Sequence, residues 1–111
     1  MREEILEYPY SGRIYRLIQG VGDNDDSFAE IYDGVMDETM QRDVDGKLLQ
    51  TSSYIVSIPL TQNDYGEYVI PENGDRIELE RYGQILQLEV DNAEPSQLGG
   101  VSIYATRKNW W

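Results

Sequence analysis

Residues 75–91 constrain this chain more tightly than any other stretch. Asp75 to Arg81 alternates, with Ile77 and Leu79 on one side and Arg76, Glu78 and Glu80 on the other. Tyr82-Gly83 supplies a turn, and Gln84 to Asp91 returns with Leu86, Leu88 and Val90 opposed to Gln87 and Glu89. Period-two patterning on both sides of a two-residue break specifies a β-hairpin with one buried face, because a slip of one residue would expose the whole apolar set.

Other segments repeat the pattern. Arg13 to Gln19 alternates as a strand, with Ile14 and Ile18 on one side and Tyr15 and Leu17 on the other. Phe28 to Asp33 is extended again, and Gly34 predicts a bulge or tight bend before Val35 to Glu38. Ser53 to Leu60 carries the β-branched and aromatic run Tyr54-Ile55-Val56-Ser57-Ile58, stopped by Pro59. Asn63 to Gly66 and Pro71 to Gly74 are turns flanking a short extended piece, Tyr68 to Ile70. After a loop from Asp91 to Gly100, a last strand, Val101 to Arg107, sets Val101, Ile103 and Ala105 against Ser102, Tyr104 and Thr106. Thr39 to Thr51 has few apolar residues and a turn signal at Asp45-Gly46, which predicts a long excursion or, alternatively, a hairpin. The helical competitor is Asp33 to Gln41, where Met36 and Met40 fall four apart.

About six short strands at this spacing predict an all-β fold: a small six-stranded barrel or sandwich of antiparallel strands, with long loops and little helix. The 111 residues fit one domain able to remove roughly two-thirds of its unfolded surface from water. Within it, 1–11 is an N-terminal extension, 39–52 and 91–100 are expected as mobile loops, and 108–111 is a tryptophan tail. Gly74, Asp75, Gly83, Gly99 and Gly100 are the turn residues on which the fold depends.

Charge then narrows the partners. Nine Lys and Arg against 21 Asp and Glu give a net charge of −12, which opposes a phosphate-binding surface and so specific nucleic-acid binding. From Asp23 to Asp45 nine acids face Arg42 alone, a solvated acidic face or a docking surface for a basic partner. The chain has no Cys and no His, which excludes thiol nucleophiles, zinc-thiolate sites and the Ser-His hydrolases. Carboxylate pairs remain as chemistry, but with 21 acids no pair stands out. Asp23, Asp25 and Ser27 alternate like the first ligands of a calcium loop, and Asp43-Val44-Asp45-Gly46 forms a second cluster. Neither has both the sixth-position glycine and the twelfth-position glutamate, so both read as acidic turns. The expectation is a non-enzyme with no cofactor and no metal.

Met1 to Glu7 lacks a basic start and apolar run, and no stretch approaches the ~20 apolar residues of a membrane span, so cytoplasmic synthesis and no membrane anchor are expected. Nine Tyr and two Trp against one Phe make an aromatic set with polar handles, suited to half-buried strands and to interfaces. Trp110 and Trp111, beyond the last strand, either plug one end of the barrel or dock on a partner. With Asp43, Asp45, Leu48 and Leu49 they are the candidate protein contacts.

The order of features from Tyr68 to Arg107 resembles a known family. Glu72-Asn73-Gly74-Asp75-Arg76-Ile77, a turn glycine at Gly83, the strand Ile85 to Val90 and Gly99-Gly100-Val101-Ser102-Ile103-Tyr104-Ala105 resemble the head-tail joining proteins of long-tailed bacteriophages, also called head-completion or stopper proteins. Agreement in strand order extends over roughly residues 12 to 107. The resemblance implies a virion neck protein, made in the bacterial host cytoplasm and assembled as a homo-oligomeric ring between the portal or its adaptor and the tail-terminator protein, with a monomeric form in solution. The alternatives are an acidic module that inhibits by mimicking DNA, and a small metal-binding domain.

Overall fold

A computed structural model describes residues 8–19, 26–40, 53–96 and 99–108. Six strands appear in it: β1 (Tyr10–Gln19), β2 (Asp26–Met40), β3 (Ser53–Pro59), β4 (Arg76–Arg81), β5 (Gln84–Pro95) and β6 (Gly100–Arg107). Every ladder is antiparallel, and the order β1-β2-β3-β6-β5-β4 closes into a barrel where β4 pairs with β1. No helix occurs among the described residues. Closure removes most of the open edge that a flat sheet of this size would present.

Alternation builds the core. Ile77 and Leu79 on β4, Leu86, Leu88 and Val90 on β5, and Val101, Ile103 and Ala105 on β6 are buried, as are Tyr54, Val56 and Ile58 on β3 and Ile14 on β1. Ile18 departs from its expected side: it lies 50% exposed near the end of β1, past the reach of the core. At the β4–β5 turn Tyr82 and Gly83 have φ of 52° and 77°, the left-handed pair of a type I′ hairpin.

The long β2 corrects several expectations. It runs unbroken through Gly34, and the bulge falls earlier: Ile14 faces Tyr32 while Tyr15 faces Glu30, leaving Ile31 as the extra residue. Gly34 serves close approach instead. It faces Gly12 across the ladder, and a Cβ there would lie 2.9 Å from the Tyr32 hydroxyl. The helical spacing of Met36 and Met40 yields to pairing, since Tyr10 to Gln19 on one side and Tyr54 to Ser57 on the other take up the β2 backbone. Thr39 and Met40 therefore belong to the strand, and 41–52 lies outside the described residues.

β1 and β5 are also longer than expected. Tyr10 and Ser11 pair with Met36 and Val35, so part of the extension is strand. β5 continues through Pro95: Asp91 bulges, and Asn92 to Pro95 then pair with Tyr104 to Val101. The expected loop 91–100 shrinks to a turn in which Gly99 N donates to Ser96 O and Ser96 N to Gly100 O, at 3.2 and 2.7 Å.

Tyr32 reports on this interior. Its hydroxyl donates to the Val35 carbonyl at 2.6 Å, and burial first, then nearby Tyr8 and Asp33, push its pKa up to about 12. A phenol harder to ionise folded than unfolded contributes stability that is whole below about pH 10 and is lost as pH rises through about 12. Tyr8, Tyr10 and Tyr15 are shifted in the same direction, so urea titrations at pH 9 and 11.5 are expected to show a loss of stability of which Tyr32 supplies about 1 kcal/mol, and Tyr32→Phe should reduce the difference by that amount.

Candidate functional site

β3 and β4 lie on opposite sides of the ring, so the segment joining them, 60–75, spans one mouth of the barrel as a strap. Leu60, Val69 and Ile70 pack onto the core, and Pro71 is fully buried. The strap is latched from within. Arg16 shares the inward parity of Ile14, and its Nε and Nη2 donate to the Asp75 carboxylate at 3.2 and 2.9 Å, while Nη2 also donates to the Ile70 carbonyl at 3.2 Å. Glu72 N donates to Asp75 Oδ2 at 2.8 Å, so a carboxylate whose side chain is only 4% exposed is satisfied by a guanidinium fork and a backbone amide. The hydrogen bond to Asp75 holds Arg16 above its ordinary pKa. Asp75 is thus more than a turn residue.

The strap carries a small hairpin of its own. Val69 N donates to Thr61 O at 2.9 Å, Gln62 bridges to Tyr68, and Asn63 N donates to Glu67 O at 2.8 Å. Asn63 Oδ1 accepts from the amides of Tyr65 and Glu67 at 2.8 and 3.0 Å, and Gly66, at φ 81°, completes the loop. This rigid tip presents Tyr65 at 87% and Tyr68 at 58% exposure. Beside it, a cleft of about 390 Å³ runs between strap and β2, lined by Arg16, Glu30, Ile31, Tyr68, Ile70 and Glu72 among others.

The opposite mouth has a second inward ion pair. Arg81, in phase with Leu79, bonds to Glu38 Oε1, in phase with Met36; the Glu38 side chain is 5% exposed, and its Oε2 has no partner among the described residues. Here Tyr82 stands 86% exposed on a left-handed backbone, its ring edge-on to Tyr10 with centroids 5.7 Å apart and their hydroxyls at 3.2 Å. Asn at Tyr82 would suit that φ far better. Tyr82→Asn is expected to raise stability by about 0.5 kcal/mol in urea unfolding, offset in part by the lost ring contact; a clear loss would mean the ring is structural.

Of the residues singled out in the sequence, Gly74, Gly83 and Gly99 take positive φ, at 94°, 77° and 93°, and Gly100 opens β6, where a Cβ would lie 3.2 Å from the Ile58 carbonyl oxygen. Trp110, Trp111, Asp43, Asp45, Leu48 and Leu49 lie outside the described residues, as do Asp23 and Asp25. No group of three or more metal-ligating side chains occurs among the described residues. The latch pairs and the Tyr65 tip had no sequence signal beyond Asn63 and Gly66, since their partners are set by the barrel's closure. No family model, curated protein or solved structure matches this chain.

Proposed function

We propose that this protein is a non-catalytic subunit that works by binding other proteins at the two ends of its barrel. In its specific form the proposal is a head-tail joining component of a phage or prophage neck. The observation that carries the first part is Tyr82: an exposed aromatic kept on a backbone that disfavours it, at a turn where stability alone selects Asn-Gly. Tyrosine supplies large contact area at low entropic cost, which suits a protein interface.

The neck reading adds the strand order of the resemblance and the charge. Axial contacts to a portal or adaptor and to a tail-terminator protein would use the two mouths, and lateral contacts between copies would use the barrel wall, where Ile85 and Val35 are exposed in the row Ile85-Glu80-Ser11-Val35. A net charge of −12 would let DNA pass a ring of such subunits without adhering. The DNA-mimic alternative is disfavoured on that wall, because Arg13 lies 3.8 and 3.7 Å from Glu30 and Asp33 and interrupts any row of unopposed carboxylates. Mass spectrometry of purified virions from the source phage or induced prophage tests the neck reading. Recovery in stoichiometric proportion to the portal is the expected result, and absence from virions that contain portal and tail proteins would refute it.

A further inference from the structure

We propose that the strap tip and the cleft beside it form a docking site for a basic segment of a different protein, with a lysine or arginine side chain entering the cleft. The cleft combines two chemistries. Tyr68, Ile31, Val69 and Ile70 give it apolar walls, and Glu30, Glu67 and Glu72 bring carboxylates to it. The Arg16 guanidinium is there too, engaged by the buried Asp75 and 4.0 Å from Glu72, and Arg13 stands 3.8 Å from Glu30; against the carboxylates of Glu30, Glu67, Glu72 and Asp75 the local balance stays negative. An aliphatic stem against tyrosine and isoleucine with its cation among glutamates is how a long basic side chain is held.

Rigidity supports binding over mere exposure. Asn63 fastens the backbone amides of both Tyr65 and Glu67 and donates from Nδ2 to Glu67 Oε1 at 3.3 Å, so the tip is organised before any partner arrives. From Thr61 to Asp75 the strap has no base, against Asp64, Glu67, Glu72 and Asp75. Charge also argues against a second copy as occupant. Arg13, Arg16, Arg81 and Lys108 are within 4.0 Å of carboxylates of their own chain, and Arg76 covers the Phe28 ring at 4.1 Å. Among the described residues that leaves Arg107, exposed at the end of β6, and a second copy brings the same net charge of −12, so like-charge repulsion opposes it as occupant. This inference rests on the reading that the barrel binds proteins at its ends, but it needs only the single barrel and so does not depend on the ring or the neck.

The test is selection of a displayed library of random twelve-residue peptides on the full chain, followed by titration of the recovered peptides. Recovered sequences should carry Lys or Arg beside apolar residues and weaken steeply with salt. Binding should fall at least tenfold in Tyr65→Ala/Tyr68→Ala and in Glu67→Gln/Glu72→Gln, with melting unchanged because these side chains lie on the surface. Amide shifts on binding should centre on 61–72 and 30–31. An empty selection, peptides without bases, or equal binding to the variants would overturn the proposal. So would concentration-dependent self-association in sedimentation that Tyr65→Ala/Tyr68→Ala abolishes, which would assign the tip to a second copy.

Discussion

Gly12→Ala is expected to lose about 3 kcal/mol or more of unfolding free energy, because among the described glycines it is the one whose added Cβ would run most deeply into backbone. A Cβ at Gly12 would lie 2.3 Å from the Glu78 carbonyl oxygen and 2.7 Å from Met36 Sδ. The methionine can turn away, but the carbonyl is backbone in the ladder that closes the barrel, where Gly12 faces Leu79 and Arg13 faces Glu78. Accommodation therefore means parting β1 from β4, beside Ile14, Ile77 and Leu79, which are fully buried. That is a large share of the roughly 5–15 kcal/mol that holds a domain folded. Ser11→Ala, on the outer wall of the same strand, should stay within about 0.5 kcal/mol. Urea unfolding of the two variants decides it; similar stabilities for both would mean that β1 and β4 do not approach as described.

Arg16→Ala should cost about 3 kcal/mol by a different route. It strands the Asp75 carboxylate, 4% exposed, inside the strapped mouth, and breaking such a pair costs about 3–5 kcal/mol. The lower end applies because the Arg16 side chain retains 36% exposure and water can partly replace it. Adding Asp75→Asn removes the stranded charge, so the double variant should recover part of the loss, and a double-mutant cycle should give a coupling of at least about 1 kcal/mol. The damage should be local in its dynamics. The amides of Glu72 and Val69, bonded to Asp75 Oδ2 and Thr61 O, should lose hydrogen-exchange protection ahead of the β5–β6 ladder. Additive single effects, or unchanged protection in the strap, would show that Arg16 does not latch it.

The two variants also mark where sequence reasoning stops. The hairpin of β4 and β5 was legible because each strand buries one face, so Ile77, Leu79, Leu86, Leu88 and Val90 declare themselves by period. Asn92 to Pro95 was not, since Asn92, Glu94 and Pro95 are exposed and Ala93 is only half buried, leaving no apolar face to detect. Gly34 invited a bulge because a glycine in a strand has two meanings, a break in pairing or room for a neighbour. The neighbour, Tyr32, is visible only once the strand is folded. Arg16 and Asp75 are 59 residues apart, and nothing in either one's surroundings in the sequence announces the other. The acidic composition suggested a basic partner. Placing one cleft for it required the strap, whose path follows from β3 and β4 occupying opposite sides of a closed ring.

The central claim, that the barrel binds protein neighbours through its ends, is tested most directly by light scattering during size-exclusion chromatography. The purified chain would be mixed in turn with portal, adaptor and tail-terminator proteins of the phage or prophage that the proposed neck role calls for. Stoichiometric co-elution with at least one of them, lost in Tyr82→Asn or in Tyr65→Ala/Tyr68→Ala while melting is retained, is the predicted result. Elution as a free monomer from every mixture would contradict it.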